Sequence, residues 1–335
     1  MDHLIPDSFF LGMTNWMLAC LFLISLAALV KGADWLVQGA ANLAYRLGIG
    51  KIIVGATIVS IGTTTPECAV SVMAAWDGEP GLALGNAVGS IICDTALVFG
   101  LCATLALIPK DRFILNRHGW LQFGSGVLLA LICGVAWLMS DGGEPTIPRL
   151  VGVFFLVLLA GYLWISIRWA RGHTMDQEMP KEERGSSAAV HSFWIVFGLL
   201  VVLFSCRLVI GSLMVLATRW EVPKEIIAAT LVAFGTSLPE LVTGITAVRR
   251  KHPELLVGNV IGADVLTVLF VIGAAATVTP LAVPSIFYVI HIPVMLFVLL
   301  LFRIFIAQKG NHFKKWMGWP LLLTYVAYVI IQYLV

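Results

Sequence analysis

A chain of 335 residues of which 59% are hydrophobic and only 12% charged departs far from the soluble norm of about 45–50% apolar and roughly 25% charged residues. No soluble fold could hide so much apolar surface, so the composition is that of an all-α polytopic membrane protein. The formal net charge of +2 says nothing as a total, and no nucleic-acid partner is indicated.

Apolar stretches of the length that crosses a bilayer, about 20 residues, predict spans near 17–42, 52–76, 80–107, 119–139 and 147–167, then 192–217, 225–248, 255–278, 284–306 and 316–334. Ahead of the first span, Met1–Trp16 contains Asp2 and Asp7 but no Lys or Arg. The basic region of a secretory signal is missing, and the first span is expected to remain as an anchor. That span carries Asp34. The second holds Gly62-Thr63-Thr64-Thr65-Pro66-Glu67, and the third runs from Gly85-Asn86 through Gly89 and Ser90 to Asp94. After the fifth span, Arg168–Ser192 mixes both charge signs with Gly, Pro and Ser and reads as a linker. The sixth span carries Arg207, the seventh Gly235-Thr236-Ser237-Leu238-Pro239-Glu240, and the eighth Gly258-Asn259, Gly262, Asp264 and Thr267. All six cysteines fall inside predicted spans without metal-ligand spacing; packing is their expected role.

The second half repeats the first. Lys51–Gly100 recurs without a gap as Lys224–Gly273, at an offset of 173 that lays Gly62 on Gly235, Pro66 on Pro239, Glu67 on Glu240 and Asn86 on Asn259. The chain is therefore divided into a five-helix repeat over 1–167, a cytoplasmic linker over 168–191, and a second five-helix repeat over 192–335. An odd number of spans per repeat inserts the second upside down, so about ten transmembrane helices are expected in two inverted five-helix repeats. Proline-broken helices meet at the midplane of such a protein, where substrate binds. The offset also lays Asp34 on Arg207; they could form a cross-repeat ion pair or each bond locally near a helix end.

Basic residues set the orientation. With the N-terminus outside, the cytoplasmic loops hold Arg46, Lys51, Lys110, Arg112, Arg117, Arg168, Arg171, Lys181, Arg184, Arg249, Arg250, Lys251, Arg303, Lys309, Lys314 and Lys315. Only Arg149, Arg219 and Lys224 fall outside. The positive-inside bias thus puts both termini on the extracytoplasmic side.

The doubled motif carries the chemistry. Proline has no N–H for an i→i−4 bond and clashes with that carbonyl, so Pro66 frees the region of Gly62, and Pro239 that of Gly235. In hydrocarbon a freed carbonyl must find a partner or line a polar cavity. Thr63, Thr64, Thr65 and Glu67 surround one break; Thr236, Ser237 and Glu240 surround the other. Carbonyl, hydroxyl and carboxylate oxygens are the ligand set of hard cations. Ser90 and Asp94 stand four residues apart on one helical face, with Ala263 and Thr267 as their counterparts. The rows Gly85-x-x-x-Gly89 and Gly258-x-x-x-Gly262 allow close helix approach. One mid-span carboxylate of this kind could be a kink with a solvated acid; two at matched positions are functional. Asp264 is turned about 100° from Ala263 and is expected behind the ligands. Asp77, Glu79 and Glu254 lie at span ends and read as solvated.

At these residues the chain resembles the cation/calcium exchanger superfamily, in particular its prokaryotic sodium/calcium antiporters. Their two repeats carry Gly-Thr-Ser-Leu-Pro-Glu followed by Gly-Asn-x-x-Gly-Ser-Asn-x-x-Asn/Asp. Gly235–Glu240 matches the first block outright, and Gly62–Glu67 matches it with Thr64-Thr65 replacing Ser-Leu. The resemblance covers essentially the whole chain. It implies calcium-for-sodium exchange by alternating access in the inner membrane of a prokaryote. It also implies calcium ligands at the Glu67 and Glu240 carboxylates and the Thr63 and Thr236 carbonyls. Sodium or counter-ion positions would be Thr64, Ser90, Asp94, Ser237 and Thr267. The chain departs from the pattern at Ile91, Ala263, Asp264 and Thr267, where the family favours Asn, Ser, Asn, and Asn or Asp. Polar capacity has moved from the second repeat into the first, through Asp94.

Two acids in a low dielectric cannot both stay ionised unaided. Ca²⁺, sodium ions or protons would each neutralise them, and that mutual exclusion is the physical basis for exchange. Ca²⁺ suits a flexible cage of 6–8 oxygens, whereas Mg²⁺ keeps its water. A proton-coupled calcium exchanger would use the same glutamates, with Asp94 or Asp264 carrying the proton. A passive cation channel would not need two broken helices around one site. No nucleophile–His pair shares the motif depth, so an enzyme is not expected, nor is any cofactor beyond the transported ions. No protein partner is indicated, and a monomer is compatible with the sequence.

Overall fold

The computed structural model describes residues 7–140, 143–172, 187–220 and 233–334. A short helix α1 (Asp7–Leu11) leads into α2 (Asn15–Leu47). The Thr14 hydroxyl caps α2 by accepting from the Met17 N–H, and Gly48, at φ 65°, ends it. That left-handed turn is one glycine adopts without steric cost. The second span is broken. Helix α3 (Lys51–Thr63) and α4 (Thr65–Trp76) meet at an angle of 41°, with Thr64 at the joint and Pro66 in the first turn of α4. Then follow α5 (Pro80–Leu105), α6 (Arg112–Leu138) and α7 (Arg149–Gly172).

The second half begins with α8 (Ala188–Arg219). Its broken span is described from α9 (Ala233–Thr236) onward, with Ser237 at the joint and Pro239 in the first turn of α10 (Leu238–Arg249). Next come α11 (Pro253–Val278), α12 (Phe287–Ala307) and α13 (Gly318–Leu334). π-helical turns interrupt α3, α5, α11 and α12 at Gly55–Val59, Cys93–Phe99, Thr267–Ile272 and Phe287–His291.

Four two-residue strands stitch the halves together. β1 (Ile108–Pro109) pairs antiparallel with β4 (His312–Phe313), and β2 (Thr146–Ile147) with β3 (Leu281–Ala282). β1 and β3 stand 173 residues apart, so each half offers the same strand to the other. The glycine contacts repeat this exchange. Gly318 of α13 lies against the Gly100 carbonyl of α5, and Gly152 of α7 against the Gly273 carbonyl of α11.

Helix α11 is the axis of the molecule, with 94% of its most apolar stretch buried, against 22% for α7 and 28% for α2 and α6. The outer helices turn Leu23, Leu131, Leu150, Trp164 and Phe204 outward. Only lipid accommodates such a surface, and the protein is a multi-pass integral membrane protein. Among the described residues, seven helices are long and apolar enough to cross a membrane, eight when the bent α3–α4 pair counts as one. Of the two other expected spans, 225–248 begins in residues that are not described, and 316–334 is the 17-residue α13. The predicted linker also lies mostly outside the described residues, and α7 runs to Gly172 while α8 begins at Ala188. All six cysteines are free, and only Cys20 is exposed.

Of the two readings open for Asp34 and Arg207, the cross-repeat pair is not made. Asp34 does not pair with Arg207 but with Arg250, which donates from Nε to Oδ1 at 3.0 Å and from Nη2 to Oδ2 at 2.8 Å. Arg207 is buried instead, its guanidinium 5.3 Å from the Phe10 ring centroid. Residues equivalent by sequence offset occupy equivalent places; they do not thereby touch.

The glycine row of the second repeat does bring backbones together. A Cβ on Gly258 would run into the Ile52 carbonyl, and one on Gly262 would lie 2.6 Å from the Ala56 Cα. The neighbours of Gly258 are main chain and cannot move aside as a side chain can. Gly258→Ala is therefore expected to lose about 1–3 kcal/mol or more through overpacking, read as a lowered Tm in detergent. An unchanged Tm would mean that α3 and α11 are not in backbone contact.

Candidate cation site

Thr63 and Thr236 end α3 and α9, where terminal carbonyls have no partner within the helix. Each threonine is tethered to the other repeat. The Thr63 hydroxyl donates to Asn259 Oδ1 at 3.2 Å, and the Thr236 hydroxyl donates to Asn86 Oδ1 at 3.2 Å. It is the same bond made twice, with the halves exchanged. Asn86 also donates to the Ser71 hydroxyl at 3.0 Å and to the Glu67 carbonyl at 3.4 Å.

Directly after the proline in each first turn, Glu67 and Glu240 are the third residues of α4 and α10, and both are buried. The Ser90 hydroxyl lies 2.9 Å from the Ser237 hydroxyl and donates weakly to Glu67 Oε1 at 3.5 Å. Glu67, Glu240 and Asp94 are close enough for their charges to interact. Among the described residues, Glu67 Oε2, both carboxylate oxygens of Glu240, Asp94 Oδ1 and the hydroxyls of Thr64 and Thr267 are buried and find no hydrogen-bond partner. Buried polar atoms are normally satisfied, and leaving a buried carboxylate without donors costs several kcal/mol. A cation relieves that cost directly. The oxygens are hard donors suited to Ca²⁺ or Na⁺. Among the described residues no three His, Cys, Asp or Glu side chains converge as a metal cluster, so hydroxyls and carbonyls must complete any coordination shell.

Thr63, Thr64, Glu67, Thr236, Ser237 and Glu240 lie at the two breaks, Ser90 and Asp94 beside them; Thr267 is buried in α11, and Asp264 is set apart. Its Oδ2 accepts from the Thr95 hydroxyl at 2.5 Å and from Gln122 Nε2 at 2.6 Å. Sequence reasoning missed Gln122, a polar residue in the middle of α6, and gave no task to Asn86 and Asn259. A lone intramembrane amide was the available signal for the first, and recurrence at the repeat offset for the other two.

An enclosed, oxygen-lined, acidic site between two broken membrane helices defines a cation-transport protein. The chain belongs to the sodium/calcium exchanger protein family, whose model matches residues 17–168 and 190–334; it is a transporter and not an enzyme. It is 27% identical to the sodium/calcium exchanger MaX1 of Methanosarcina acetivorans, over 93% of this chain and 97% of that protein. It is 30% identical to the membrane protein MJ0091 of Methanocaldococcus jannaschii, over 91% of this chain and 94% of that one. Among solved structures it is similar to the sodium-calcium exchanger NCX_Mj soaked with 10 mM Na⁺ and 10 mM Sr²⁺. The TM-score is 0.81 at 27% identity, covering 95% of this chain and 99% of that one.

The tethered threonines give a direct test. Thr63→Val keeps the shape and strands the Asn259 acceptor, at a cost of about 1–3 kcal/mol. In a double-mutant cycle with Asn259→Ala the two losses should be non-additive by about 1 kcal/mol, read from thermal unfolding in detergent. Additive losses would show that the bond does not hold the break in place.

Proposed function

We propose that the protein is a secondary antiporter that exchanges calcium for sodium by alternating access, with two inverted five-helix repeats closing around one site. The observation that carries this reading is the set of buried, partnerless oxygens on Glu67, Glu240, Asp94, Thr64 and Thr267. Calcium would be held by the Glu67 and Glu240 carboxylates with the Thr63 and Thr236 carbonyls. The counter-ions would use Thr64, Ser90, Asp94, Ser237 and Thr267, with Asp264 behind them. Calcium and its counter-ions compete for the same acids, so only one set is bound at a time. The named exchangers among the relatives support the same ions. The distribution of Lys and Arg supports extracytoplasmic termini.

Proton coupling is the second reading, favoured by one feature. Ala263 offers no hydroxyl where Ser90 stands in the other repeat, while Asp94 adds a carboxylate. Calcium uptake into proteoliposomes under an imposed sodium gradient, and then under a pH gradient, separates the two. Uptake driven by sodium supports the first reading, and uptake driven only by pH replaces it with the second. Glu67→Gln and Glu240→Gln preserve shape but remove charge that Ca²⁺ requires, and each should lower exchange by about tenfold or more. Near wild-type exchange in either variant would remove that glutamate from the calcium site.

Asp94→Asn is expected to weaken the dependence on sodium, or on pH, more than it weakens calcium affinity. Ala263→Ser should tighten sodium binding by supplying an oxygen. Uptake titrated against sodium and pH measures both. Unchanged profiles in Asp94→Asn would reduce that acid to a helix contact.

A further inference from the structure

The Asp34–Arg250 pair lies partly exposed at one end of the bundle. Its bidentate geometry ties α2 to the turn after α10. Lys51 strengthens the same end, with its ammonium 2.8 Å from the Tyr45 hydroxyl and 3.2 Å from His252 Nδ1. At this end α2 lies along α10. The equivalent packing at the other end is not made, for α8 scarcely touches α4. Meanwhile α2 and α8 are interlocked over their length: Gly32 seats Val201, and Gly198 seats the Leu36 backbone. The structure is thus a symmetric core with an asymmetrically placed helix pair.

The two ends are built alike. The turn after α4 bonds Asp77 N to the Met73 carbonyl and Glu79 N to the Ala74 carbonyl; the turn after α10 bonds Arg250 N to Thr246 and His252 N to Ala247. Both turns pass through a positive φ, 86° at Gly78 and 61° at Lys251. All of these residues correspond at the offset of 173. So do the starts of α2 and α8, at Asn15 and Ala188. Asp77 therefore occupies the place of Arg250, and Arg207 the place of Asp34, with both charges reversed. Loss of the acid at one position is matched by gain of an acid at its partner position, which preserves an ion pair while inverting its polarity.

We propose that Arg207 and Asp77 form the counterpart of the Asp34–Arg250 bridge, made when the α2–α8 pair shifts to close the opposite end and Asp34–Arg250 opens. This inference rests on the alternating-access reading. In the present arrangement Asp77 is exposed and Arg207 is buried against Phe10 of α1. A shift of α8 onto α4 would carry the guanidinium toward the Asp77 carboxylate, in the geometry that the other pair already shows. Each state then has one bidentate Arg–carboxylate latch, and neither state keeps both. Acting as a latch requires that a contact be made in one state only, since equal stabilisation of both shifts nothing.

The test uses the full chain, with its native cysteines replaced, in proteoliposomes. Cysteine pairs at Asp34/Arg250 and at Asp77/Arg207 are treated with a short bifunctional thiol reagent during calcium uptake. Both pairs are expected to cross-link, and each cross-link should stop uptake. If 34/250 locks the protein while 77/207 never cross-links, the latch is overturned and alternating access stands. If neither cross-link affects uptake, the alternating-access reading falls as well. Asp77→Asn, a change at an exposed turn, guards against misfolding of Arg207 variants. It should slow uptake several-fold at unchanged Tm, and Asp77→Arg with Arg207→Asp should recover what either loses alone. Wild-type uptake in Asp77→Asn overturns the proposal.

Discussion

Carboxylates buried where the protein supplies few donors govern this structure. Among the described residues neither oxygen of Glu240 finds a hydrogen-bond partner, and Glu67 has only a long bond from Ser90. A fold that simply sought stability would replace such groups with apolar ones. Here they are kept at the one depth where two helices are broken, so that helix-end carbonyls and hydroxyls surround them. Under the proposed function that cost would fall on the transported ion, which would then be part of the fold. Selection of the cargo and stability of the occupied state are the same free energy seen from two sides.

The rest of the molecule holds that arrangement still. The reciprocal Thr63–Asn259 and Thr236–Asn86 bonds fix each break against the opposite repeat. The strand pairs and the Gly152–Gly273 and Gly100–Gly318 contacts do the same at the ends of the bundle. Departures from the symmetry are local. Asn86 has Ser71 beside it, where the second repeat has Gly244; Gly244 offers no hydroxyl, and Asn259 Nδ2 is buried without a partner among the described residues. The two halves of the site thus differ in polarity even where their backbones agree, and the shift of acid into Asp94 continues that trend.

Much of this was legible in the sequence. Most spans follow from hydropathy, the breaks from Pro66 and Pro239, and the candidate site from the doubled Gly-Thr-x-x-Pro-Glu. These signals are local or periodic, so one strand of text contains them. Contacts between elements distant in sequence were not legible. For Asp34 the offset left a pair with Arg207 and local bonding both open, whereas the observed partner Arg250 lies in the turn after α10. Gln122 reaches Asp264 from α6, and nothing in the spacing of either residue announces it. Two-residue strands such as β1 and β4 are too short to carry an alternating pattern.

The π-turns in α5 and α11 have a further consequence. An i→i+5 turn accommodates one more residue than an α-turn does, which rotates everything beyond it by about 100°. In α11 the stretch before Thr267 presents Gly258 and Gly262 to α3, while the stretch after it presents Gly273 to α7. One continuous rod therefore carries two faces in separate registers, and the phase slip between them falls at Thr267. Loss of a single residue from that turn would leave composition, hydropathy and length almost untouched. It would fuse the two registers and turn the helix's second face away from α7. In a helix built this way, the count of residues between two glycines carries as much structural information as their identity.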